Sequence, residues 1–113
     1  MTETTKHSLR FFYSPELQAT AIKVLTDLEN AEDPLKCRDA LGNLVAELTD
    51  SGMGYYFLEA LELAKVGFVK KQTANLGIIG AVKIMRSVIH KIIGGMNKEQ
   101  LLIICGYIRQ LMQ

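Results

Sequence analysis

Between Gly54 and Ile93 lie forty residues without a proline, and from Leu63 through Lys98 there is no acidic residue. A stretch of that length, rich in Ile, Val, Leu and Ala, has little choice but to be helical. As one helix it would extend about 60 Å at 1.5 Å per residue. Gly67, Gly77 and Gly80 each cost about 1 kcal/mol relative to Ala inside a helix, so the alternative is a break near Thr73 to Gly77. Ala60, Gly67, Ala74 and Ala81 recur at seven-residue spacing, which predicts a small-residue face for close approach of a neighbouring helix. A cofactor slot is the other use of such a face, and no cofactor is expected here.

The C-terminal part of this stretch is apolar around most of its circumference. Ile78, Ile79, Val82, Ile84, Met85, Val88, Ile89, Ile92 and Ile93 leave Lys83, Arg86, Ser87, His90 and Lys91 on a narrower arc. Such a helix needs burial on more than one side. One small core has limited room for it, so self-association or a second subunit is expected. Leu76 to Ile93 matches a bilayer in length, but Lys83, Arg86, His90 and Lys91 oppose insertion at roughly 2.5–3.5 kcal/mol for each central Lys or Arg.

Flanking signals divide the rest. Ser14-Pro15-Glu16 combines an N-cap hydroxyl, a first-turn proline and a carboxylate, starting a helix that runs to about Asn30 with Leu17, Ala21, Val24, Leu25 and Leu28 on one face. Asp33-Pro34 repeats the signal after a short turn. Cys37, Leu41, Leu44, Val45 and Leu48 form the next stripe, with its end expected at Ser51-Gly52. Ser51 to Gly54 then reads as a C-cap followed by a helix start, with a small anion-binding nest as the alternative. Asn97-Lys98-Glu99-Gln100 is a capping box before a last helix from Leu101 to about Met112. The expected fold is all-α: one domain over residues 1–113, a bundle of four or five helices with a long or kinked central helix, preceded by an N-terminal arm over residues 1–13.

Chemistry is sparse. Cys37 and Cys105 have no neighbouring Cys, and with His7 and His90 they complete a widely spaced inventory of soft ligands, so no metal site is expected. No P-loop, HExxH or GxGxxG occurs, and no nucleophile–base pair suggests catalysis. Unpaired cysteines and an N-terminus without a signal-peptide apolar stretch lead to the expectation of a cytoplasmic, reduced protein.

Net charge is +1, but residues 1–50 carry five basic and nine acidic side chains, while residues 51–113 carry eight and three. An acidic half packing near a basic half explains this division, as does an anionic partner. Lys70, Lys71, Lys83, Arg86, His90 and Lys91 are the candidate interaction surface. Aromatic clusters at Phe11-Phe12-Tyr13 and Tyr55-Tyr56-Phe57 lack interleaved basic residues, so they suit packing better than base stacking.

The run Leu48-Thr49-Asp50-Ser51-Gly52, Phe57 to Leu61, Phe68-Val69-Lys70-Lys71-Gln72 and Asn97 to Leu101 resembles a family of small helical proteins of unassigned function. In that family a short polar residue and Gly precede an apolar helix, and a capping turn ending in Leu closes the unit. Its members resemble accessory subunits encoded beside molybdenum-dependent formate dehydrogenases or sulfide:quinone reductases. The resemblance spans about residues 48–105 and implies docking on a larger redox enzyme. It supplies no catalytic residues. The resulting expectation is a non-catalytic interaction subunit that binds itself or a larger protein. The alternative is a cationic module, with peripheral contact to anionic lipid more compatible than nucleic acid.

Overall fold

The computed structural model describes residues 11–112. The rest of the expected N-terminal arm, with His7, lies outside them. The described residues form helices α1 (Pro15–Asn30), α2 (Arg38–Met53), α3 (Glu59–Leu63), α4 (Phe68–Ile93) and α5 (Lys98–Leu111), with no strand among them. A 3-10 turn (Pro34–Cys37) leads into α2, and a π-helical segment (Gly54–Leu58) joins α2 to α3 without interruption. The chain is therefore an all-α bundle of four rods, the second running through α2, the π segment and α3.

Local chemistry explains most starts. Ser14 Oγ accepts from the Leu17 amide at 3.0 Å, with Pro15 in the first turn. Asp33 accepts from the Leu35 amide at 3.2 Å before the 3-10 turn. Asn97 and Gln100 close a reciprocal capping box, at 2.9 Å from the Gln100 amide and 3.0 Å from the Asn97 amide. That arrangement satisfies two donors that a helix start leaves unpaired.

The expected end at Ser51-Gly52 does not occur. Gly54 has right-handed helical backbone angles, and the Glu59 amide reaches back five residues to the Gly54 carbonyl. The residues read as a C-cap or nest instead lie inside a continuous rod. The extra residue in the π turn rotates the following face. Within this segment Tyr55 and Tyr56 meet Phe11, with ring centroids 6.4 and 5.9 Å away, while Phe12 stands edge-on to Tyr55 at 5.9 Å.

The break in the forty-residue stretch falls earlier than Thr73. The Lys65 amide donates to the Glu62 carbonyl at 3.1 Å and the Val66 amide to the Leu61 carbonyl at 3.2 Å. These two bonds form a Schellman motif. Its left-handed position is filled by Lys65, φ 57°, where glycine is usual. Gly67 is instead the extended N-cap of α4. Beyond it α4 passes through Thr73, Gly77 and Gly80 unbroken.

The core joins Ala21, Leu25 and Leu28 of α1, Leu41 and Leu44 of α2, Ile93 of α4, and Leu101, Cys105 and Ile108 of α5. These are the stripes read from the sequence for α1 and α2. α5 is clamped to α1 by Arg109, whose Nε and Nη2 donate to the Glu29 carboxylate at 2.8 and 2.9 Å, with Nη2 also donating to Thr26 at 3.0 Å. The Arg38 guanidinium donates to the Met96 carbonyl, Nε at 3.0 Å, tying the start of α2 to the turn before α5.

Helix α4 packs chiefly along α2 and the π segment, away from this cluster except at its C-terminal end. The shape is open: the radius of gyration is 16.3 Å, against about 13 Å for a compact chain of this length.

Candidate interaction surface

Ile78, Val82, Ile89 and Ile93 form the inner row of α4, buried or half-buried. At about 100° per residue, every other side chain of this helix is placed relative to that row.

Three of the six basic candidates turn toward other elements of the same chain. Lys71 Nζ meets the Glu62 carboxylate at 2.6 Å, bracing the Schellman turn. Arg86 Nη2 lies 3.8 Å from Glu47 of α2. His90 Nε2 donates to Asn43 Oδ1 at 2.9 Å, and its ring lies over Gly42. A Cβ built on Gly42 would sit 2.7 Å from His90 Nδ1, so the absence of a side chain there is what lets the imidazole approach α2. Lys70, Lys83 and Lys91 are exposed and have no ion-pair partner among the described residues. Their angular positions differ widely around the helix, so they do not form one strip.

The solvated arc expected from Lys83 to Lys91 is thus divided. Arg86 and His90 belong to the α2–α4 contact. Glu29–Arg109 and Glu47–Arg86 each join an acid of the first fifty residues to a base of the remainder. Both pairs use the charge division within one chain.

The small-residue stripe also sits differently from its expected packing. Ala60, Gly67 and Ala81 are exposed and Ala74 is half-buried. Built Cβ atoms on Gly77 and Gly80 meet nothing within 4 Å. Among the described residues no other helix lies against Gly77 or Gly80, Ala81 is exposed, and this open row continues into exposed bulky neighbours. Ile84 is 70% exposed, Val88 47% and Ile92 58%. Ala74, Gly77, Ala81, Ile84 and Val88 follow one another at spacings of three, four, three and four, the seam pattern of paired helices. That seam lies about a quarter turn from the inner row. Its signal was present in the spacing, but the seven-residue series through Ala60 and Gly67 runs across the break and obscured it. Leu76 and Ile79 are exposed on the opposite flank.

Open clefts also lie on the surface of the described residues. One, of about 560 Å³, is lined by Leu17 and Val24 of α1, Leu44 and Glu47 of α2 and Arg86 of α4. The other, of about 350 Å³, is bordered by Leu58, Glu62, Phe68 and Lys71. Neither gathers a set of catalytic side chains. Among the described residues no group of three or more His, Cys, Asp or Glu is arranged to hold a metal ion. Burial in the core pushes the Cys105 thiol up to about 11, with the Glu29 carboxylate contributing. No helix among the described residues is long and apolar enough to cross a membrane.

Compared with protein-family models, curated proteins and solved structures, the chain matches none.

Proposed function

We propose that this protein is a non-catalytic helical interaction subunit, and that its contact surface is the outer face of α4. The observation that carries this reading is the open seam from Gly77 to Ile92 on a helix that, among the described residues, packs mainly along its inner row. Exposed apolar residues scattered singly are ordinary, but a regular row of them is a mark of association. The basic side chains play a smaller part in this reading than their number suggests, because Lys71, Arg86 and His90 are engaged inside the chain. The resemblance read in residues 48–105 extends this proposal to a larger redox enzyme on the same face.

The test is the native size of the tagged protein in an extract of its own host, compared with an Ile84→Asp, Val88→Asp variant. Wild type is expected to elute well above the mass of a single chain, 12.6 kDa, and the variant at it, with helical circular dichroism unchanged. Wild type at monomer size would refute the reading, as would an unchanged large size for the folded variant.

A further inference from the structure

The seam is not uniform along its length, and its asymmetry specifies an occupant. Its first half consists of Ala74, Gly77 and Ala81, and its second half of Ile84, Val88 and Ile92. Two copies of α4 laid antiparallel about a two-fold axis between positions 82 and 83 would set Ala81 opposite Ile84, Gly77 opposite Val88, and Ala74 opposite the Lys91-Ile92 step. Small residues meet large ones at every level, and each match occurs twice. A parallel pair in register would instead stack Gly on Gly at one end and Ile on Ile at the other, leaving gaps and bulk in different places. We propose that a second copy of this chain covers the seam through an antiparallel α4–α4 contact, an inference that rests on the outer face of α4 being the contact surface.

Two further observations fit this occupant. A two-fold contact presents the same patch from both sides and must be self-complementary, which the small and large halves of the seam are. The chain is also open, with a radius of gyration of 16.3 Å. Pairing along α4 would give that helix the second packed side that its composition calls for.

The pairing predicts a size exchange. Ala81→Ile places two bulky side chains against each other, and Ile84→Ala leaves two small ones facing. Each is expected to weaken the dimer about tenfold or more, measured by sedimentation equilibrium of the purified chain. The double variant Ala81→Ile, Ile84→Ala restores a small residue opposite a large one and is expected to return within about threefold of wild type. Orientation is read separately, by mixing a Gly77→Cys chain with a differently tagged Val88→Cys chain under oxidation. Antiparallel pairing gives the disulfide-linked mixed species in preference to either same-variant species. Preferential same-variant linkage would overturn the proposal, and so would a double variant no better than the singles. A purified wild-type chain that stays monomeric to hundreds of micromolar also overturns it. If that chain nevertheless elutes large in host extract and shrinks with the Asp substitutions, the outer face is a contact surface for another protein and only the self-pairing fails.

Discussion

Gly42→Ala is the most informative single-atom perturbation of the fold, because two opposing effects can be separated. In an α2 interior, replacing Gly by Ala gains about 1 kcal/mol of helix propensity. The new Cβ, however, would lie 2.7 and 2.8 Å from His90 Nδ1 and Cε1, closer than packed atoms tolerate. Relief requires the imidazole to swing away, which gives up the 2.9 Å bond from His90 to Asn43, or α4 to move from α2. Overpacking of this kind costs about 1–3 kcal/mol and the lost hydrogen bond about 0.5–1.5 kcal/mol. The net expectation is a loss of about 1–3 kcal/mol. With His90→Ala already present the obstacle is gone, and the same substitution should stabilise by up to about 1 kcal/mol. A double-mutant cycle in urea, followed by helical circular dichroism, should therefore give a coupling of about 2–4 kcal/mol between these positions. Equal stabilisation by Gly42→Ala in both backgrounds would show that His90 does not rest on α2.

Two other expectations follow from single side chains. Lys65 holds a left-handed backbone position at φ 57°, so Lys65→Gly should raise stability by roughly 1 kcal/mol, visible as a higher thermal midpoint; a lower midpoint would mean the turn is not a Schellman motif. Glu29 is held below its ordinary value of 4.5, chiefly by the hydrogen bonds from Arg109, so its contribution is present above that value and lost as pH falls through the lower folded one. Glu29→Gln should therefore reduce stability at neutral pH and flatten its decline below about pH 4.5, and an acid limb as steep as that of wild type would refute the linkage.

How far the sequence reveals this structure depends on how ordinary each signal is. Ser14, Pro15, Asn97 and Gln100 are common capping residues doing their usual work, and the α1 and α2 core stripes follow the helical period. The break at Lys65 is not legible in the sequence because its left-handed residue is a lysine rather than a glycine, while Gly77 and Gly80 carry the usual breaker signal inside an unbroken helix. The continuity through Gly52 and Gly54 was hidden for the converse reason. Glycines can sit in a helix when the backbone needs nothing special from them, and here the register change is absorbed by a π turn. The surface was the least legible part. Whether Arg86 and His90 face solvent or α2 depends on Glu47, Asn43 and the bare backbone of Gly42, which lie in a different helix far away in sequence.

Charge provides the sharpest discrimination between a second copy and an anionic partner on the α4 face. In the antiparallel register Lys91 of one copy lies level with Ala74 of the other, about four residues, or 6 Å along the axis, from Lys70 of that second copy. No acidic side chain occurs between Leu63 and Lys98 to offset this approach. Allowing about 8 Å between ammonium groups in water, each Lys70–Lys91 pair costs about 0.5 kcal/mol, and symmetry makes two such pairs. Burial of Ile84, Val88 and Ile92 from both copies supplies about 5–10 kcal/mol before the cost of association. A repulsion of about 1 kcal/mol is therefore tolerable but measurable. Because the Debye length falls from about 30 Å at 0.01 M salt to about 3 Å at 1 M, self-association should strengthen roughly fivefold across that range. Binding of phosphate-rich or acidic partners would weaken over the same range. Sedimentation equilibrium of the purified chain at both ends reads the sign directly, and weaker self-association at high salt would refute a contact that places these lysines near one another.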